Sequence, residues 1–118
     1  MNLSKNFTLA EFLKSNTAKK YKINNLPNNT HIERMKVLCE EVLQPARDYF
    51  KSINPDTFIK ITSGYRNVKL SRKLGSSKRS FHVFGYAADC ELYIKQEDGS
   101  FKEENELLFN YIKECLPY

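Results

Sequence analysis

One short stretch, Ser80-Phe81-His82-Val83-Phe84-Gly85-Tyr86-Ala87-Ala88-Asp89, brings an imidazole, a glycine and a carboxylate closer together than any other part of the chain. Imidazole nitrogen and carboxylate oxygen are both good zinc donors. Gly85 lies between them and can take backbone angles that a side chain forbids. A turn at that glycine would aim His82 and Asp89 at a common point, either on a metal or on each other as a hydrogen-bonded pair inside a core. The other histidine, His31, falls in the first turn of a predicted helix with no ligand set around it, and it reads as a solvated helix-start residue. Cys39, Cys90 and Cys115 are odd in number, widely spaced and without a C-x-x-C pair, the pattern of reduced, buried thiols.

The elements that position these residues follow from periodicity and punctuation. Thr8-Leu9-Ala10-Glu11 has capping-box spacing and opens a short helix, which the polar run 15–20 ends. Turn-formers fill residues 24–29. Thr30-His31-Ile32-Glu33 repeats the capping-box spacing ahead of the main amphipathic helix. Ile32, Met35, Leu38, Cys39, Val42, Ala46 and Tyr49 form its apolar face, and Pro45 bends it about one turn earlier. Residues 57–63 have the β-branched and aromatic content of a strand that stops at Gly64, and Tyr65-Arg66 follows on the exit turn. A short basic helix spans residues 67–74, and Gly75-Ser76-Ser77 breaks it. With Lys78 and Arg79 it forms a connection rich in cations and without an acid. Residues 86–92 read as a second strand, with Ala87, Asp89 and Glu91 on one face and Tyr86, Ala88, Cys90 and Leu92 on the other. Asp98-Gly99 marks a hairpin or a strand-to-helix crossing. Residues 103–115 predict a last helix that buries Leu107, Leu108, Tyr111 and Ile112. The fold class is therefore α+β: a small antiparallel sheet under a long kinked helix, in a single domain over residues 1–118.

Composition narrows the function classes. Apolar residues make up 41% and charged residues 28% of the 118 positions, which suits one globular domain and excludes a disordered chain. No apolar run is long enough to cross a bilayer. The polar amino terminus lacks the apolar segment of a secretory signal, so the expectation is synthesis in a cytoplasm and release by lysis or within a virion. A net charge of +5 favours anionic surroundings without choosing among them. Nucleic acid rests on that charge alone and ranks last.

The stretch from Ser80 to Asp89 resembles the S-x-H-x-x-G-x-A-x-D signature of zinc D-Ala-D-Ala carboxypeptidases and related phage endolysins. Ile61-Thr62-Ser63-Gly64-Tyr65-Arg66 is similar to the Ser-Gly-Tyr-Arg strand end of that family, and Phe7-Thr8-Leu9-Ala10-Glu11-Phe12 looks like the opening of its smaller members. The resemblance implies zinc held by His82 and Asp89, Arg66 steadying a substrate carboxylate or oxyanion, and Ser80 as a substrate-side hydrogen-bonding group. It implies peptidoglycan peptide, or other anionic wall material, as the partner. The family adds a Glu-x-His strand after the last helix, bringing a third ligand and a general base; this sequence has no histidine after His82. Phe81 also stands where relatives often carry glutamine. Glu91 and Cys115 are the available substitute ligands, and each has an ordinary reading as an edge carboxylate or a buried thiol. The expectation is a fragment, a chain completed by a second polypeptide, or a degenerate non-catalytic module, with zinc at low occupancy where two ligands alone hold it.

Overall fold

In a computed structural model, the chain is described over residues 1–75 and 80–115. Helix α1 (Leu9–Leu13) starts as its sequence predicts: Glu11 N donates to Thr8 Oγ1 at 3.3 Å, and Thr8 N donates to Glu11 Oε1 at 3.0 Å. The run 15–20 does more than end it. Ser15 accepts from Ala18 N at 3.1 Å and caps a second short helix, α2 (Asn16–Lys20), because a serine side chain satisfies an orphan amide of the first turn. Of the predicted loop 24–29, residues 24–28 are coil, and Asn29 already belongs to the next helix.

Helix α3 (Asn29–Leu38) begins two residues earlier than the Thr30 spacing predicts, since Asn28 Oδ1 takes the His31 amide at 2.8 Å. It runs into a single π-helical turn (Cys39–Leu43) and on into α4 (Gln44–Ile53). The wide turn lies just before Pro45, where the bend was expected. Proline lacks the amide for a regular turn and its ring would press on the Glu41 carbonyl, so the helix widens there instead of breaking. Met35, Cys39, Val42, Leu43, Ala46 and Phe50 are buried along this rod. Tyr49 is partly exposed and stacks on Tyr111, with ring centroids 4.4 Å apart.

The rod covers one face of a three-stranded antiparallel sheet. Strand β1 (Phe58–Ser63) is followed by α5 (Val68–Lys73) and α6 (Phe81–Phe84), then by β2 (Asp89–Lys95), β3 (Phe101–Glu103) and α7 (Asn105–Cys115). The order across the sheet is β1-β2-β3. The register pairs Ile59 with Leu92 and Ile61 with Cys90 toward the core, and alternation turns the pairs Phe58–Tyr93 and Lys60–Glu91 outward. The second strand starts at Asp89, three residues later than predicted, because the left-handed Gly85 and the coil after it occupy residues 85–88. Asp98-Gly99 makes a hairpin into β3, a strand that composition did not reveal. On α7 the buried residue is Leu108, with Tyr111 and Ile112 packed against the core, whereas Leu107 faces solvent. Among the described residues no helix is long and apolar enough to cross a membrane.

Candidate metal centre

His82 is fixed from three directions, by one serine hydroxyl and two backbone groups. It sits in the one-turn helix α6, whose N-cap Ser80 accepts the His82 amide on Oγ at 3.3 Å. Arg66 N donates to the His82 carbonyl at 3.2 Å, and His82 Nδ1 lies 2.8 Å from the Gly64 carbonyl. A carbonyl only accepts, so Nδ1 carries the proton and the lone pair of Nε2 is left to point at a ligand. Histidines that bind metals are oriented in this way, the second nitrogen anchored to a backbone carbonyl. The sequence run Ser63-Gly64-Tyr65-Arg66 thus contributes a carbonyl at 64 and an amide at 66. Gly64 is needed because a Cβ there would lie 2.6 Å from the Phe12 carbonyl of α1.

Asp89 is the first residue of β2, and the ladder brings it opposite Ser63 at a β-bulge in β1 between Ile61 and Ser63. Thr62 Oγ1 donates to the Asp89 carbonyl at 3.1 Å. Bulges bend a strand and redirect its side chains, and here the extra residue faces the carboxylate strand. Asp89 Oδ2 stands 3.6 Å from His82 Nε2. That is too long for a hydrogen bond. It is close to the separation of about 3.3 Å expected for two ligand atoms each about 2.0–2.1 Å from one tetrahedral zinc. The Asp89 side chain is 65% exposed and that of His82 12%, so the pair opens to solvent and does not form a buried core hydrogen bond. Gly85 closes α6 at φ +82°, with its Cα so near α3 that a Cβ would lie 2.7 Å from the His31 carbonyl. That contact seats the turn between the two donors on the long helix.

Two donors suit zinc, but the described residues include no cluster of three His, Cys, Asp or Glu side chains able to hold a metal. His31 is engaged elsewhere: Nδ1 is 3.2 Å from the Tyr65 hydroxyl, and burial with the nearby Arg34 charge pushes its pKa down. Glu91 shares the outer face with Asp89, yet it lies 3.2 Å from the Tyr93 hydroxyl, which is also 3.1 Å from Glu103. Hydrogen bonding with Glu103 pushes the Glu91 carboxyl up from its ordinary range. Cys90 points to the core, where burial and the flanking Asp89 and Glu91 raise its thiol to about 11; burial likewise raises Cys39 to about 12. The Cys115 side chain and residues 76–79 lie outside the described part of the structure.

Arg66 and Asp89 line one cleft of about 310 Å³ together with Lys14, Asn16, Thr17, Thr62 and Ser63. Arg66 thus lies on the turn that leaves β1, at the sheet edge. No sequence pattern pointed to Asn25, a buried loop residue that holds the same turn. Asn25 Nδ2 donates to the Tyr65 carbonyl at 2.8 Å and to the Leu13 carbonyl at 3.3 Å, while Oδ1 accepts from Asn67 N at 2.7 Å. Its partners are up to 42 residues away, beyond the reach of any local pattern.

Comparison with curated proteins and with solved structures yields no match. The profile of the Peptidase M15 family, a group of zinc-dependent peptidases that act on peptidoglycan, matches residues 5–105. That span holds the capped first helix, the Ser-Gly-Tyr-Arg turn, His82, Asp89 and the whole sheet, and the α+β architecture is compatible with the fold of the family. The chain belongs to the peptidase M15 family.

Proposed function

We propose that this is a zinc-binding, peptidase-like domain directed at the peptide part of peptidoglycan, with His82 and Asp89 as two metal ligands and Arg66 as the anchor for a substrate carboxylate. The observation that supports it best is the His82 ring, tied through Nδ1 to the Gly64 carbonyl and presenting Nε2 beside Asp89. Zinc at such a site polarises a scissile carbonyl and lowers the pKa of a bound water. Arg66 supplies a fixed cation on the cleft wall, suited to a carboxylate at a D-Ala terminus or within a stem peptide. Ser80 keeps its hydroxyl proton for a substrate acceptor, since its oxygen accepts from His82 N.

The third ligand and the base come, on this reading, from outside the described residues, with a second polypeptide as one source. The chain alone then holds zinc weakly and turns over poorly. A second reading, favoured by the two-donor site, is a non-catalytic wall-binding or virion-structural module that keeps the fold of endolysin relatives. Zinc content after equilibration and peptide release from purified peptidoglycan separate the two. Zinc bound and then lost in His82→Ala supports the first. A chain that stays metal-free while sedimenting with peptidoglycan supports the second, and rapid hydrolysis by the chain alone contradicts a base supplied from elsewhere.

A further inference from the structure

The cleft that holds Arg66 and Asp89 does not end there. A second hollow of about 200 Å³, lined by Lys14, Ser15, Asn16, Lys60, Ile61 and Thr62, shares Lys14, Ser15, Asn16 and Thr62 with it. Together they make one groove between the α1–α2 link and β1. Strand β1 is at the end of the sheet order, so the groove follows an edge with no strand partner among the described residues. The wall opposite is brought close by Gly64, which lets α1 approach the end of β1 at backbone contact.

Two properties of this groove identify its occupant. An edge strand offers alternate unpaired amides and carbonyls, the template for an added extended peptide. The charge lining it is Lys14, Lys60 and Arg66 against the single carboxylate of Asp89 at one end. Neither lysine forms an ion pair with a described residue. Glu91, the ladder partner of Lys60, feels its charge without forming an ion pair, and its carboxylate accepts from the Tyr93 hydroxyl at 3.2 Å. We propose that the groove along the free edge of β1 binds an extended peptide as an added strand, with a side carboxylate of that peptide held between Lys14 and Lys60. At about 3.3 Å per residue, the strand from Lys60 to Ser63 offers room for three or four residues leading to the His82–Asp89 end. The inference rests on the peptidase reading for the identity of the peptide.

The test is binding of a fluorescein-labelled stem pentapeptide, L-Ala-D-Glu-L-Lys-D-Ala-D-Ala, to the whole chain without zinc, beside the same peptide with its free glutamyl carboxyl amidated. Lys14→Glu and Lys60→Glu, both at exposed positions, are expected to weaken the acidic peptide about tenfold each, with little effect on the amidated one. Backbone N-methylation of alternate residues is expected to abolish binding, and amide resonances of β1 are expected to shift on titration. Equal affinity for the two peptides, indifference to the lysine reversals, or shifts confined to another face overturn the proposal. A change of oligomeric state in the lysine variants also overturns it, because a second copy would then own the edge. If zinc binds through His82 but the groove shows no carboxylate preference, this inference fails and the metal reading stands.

Discussion

At the scale of single residues, the site depends on positions where backbone comes very close to backbone. Gly64 is one, since a methyl group there would lie 2.6 Å from the Phe12 carbonyl and 2.7 Å from Phe12 Cα. Gly64→Ala is expected to destabilise the fold by about 1–3 kcal/mol, as overpacking against main chain does. It also displaces the carbonyl that orients His82, so zinc affinity falls further than stability alone explains; urea unfolding and zinc titration of the variant check both. His31 makes a pH prediction. Its folded pKa is lowered from 6.5, chiefly by burial and then by Arg34, so the unfolded state binds the proton more readily. Its contribution to stability is complete above 6.5 and is lost as the pH falls from there toward the lowered folded value. Urea midpoints at pH 5.5 and 7.5 should differ more for the native chain than for His31→Gln. A variant with an undiminished slope would contradict the assignment.

At the scale of elements, legibility followed the range of the interactions. The Thr8–Glu11 box, the irregular turn ahead of Pro45 and the alternation that puts Cys90 and Leu92 on one face are local or periodic, and each was readable. The bulge at Thr62, the short β3 and the anchoring of Asn25 were not. The bulge and the Asn25 anchor arise from pairing between segments up to 42 residues apart, which no single window contains, whereas β3 is a local hairpin strand that Asp98-Gly99 marked only as one of two readings. Helix α2 was missed because a polar run has no apolar period, although Ser15 carried a capping signal. Asn25 tests the element scale. Asn25→Ala removes three hydrogen bonds from a buried position and leaves the Asn67 amide and the Leu13 and Tyr65 carbonyls without that partner. A loss of about 1–3 kcal/mol is expected. Faster hydrogen exchange should be confined to the loop 24–29 and the turn 64–67; a stability unchanged in urea would contradict the role.

At the scale of the whole molecule, the fold brings its two family motifs together by backbone contacts. The turn after β1 gives a carbonyl and an amide to His82, and the ladder brings Asp89 to the same edge. The closeness of His82 and Asp89 was legible because both residues lie in one stretch of sequence. The cleft was not, since its walls come from α1–α2, β1 and β2 at once. The proposed metal role of His82 beside Asp89 rests on its Nδ1 anchor to the Gly64 carbonyl. The most direct measurement is zinc titration followed by the imidazole nitrogen resonances of His82. Nε2 is expected to shift on zinc addition while Nδ1 stays protonated, and Asp89→Asn is expected to weaken the response. No shift at saturating zinc, or a response through Nδ1, would contradict that role.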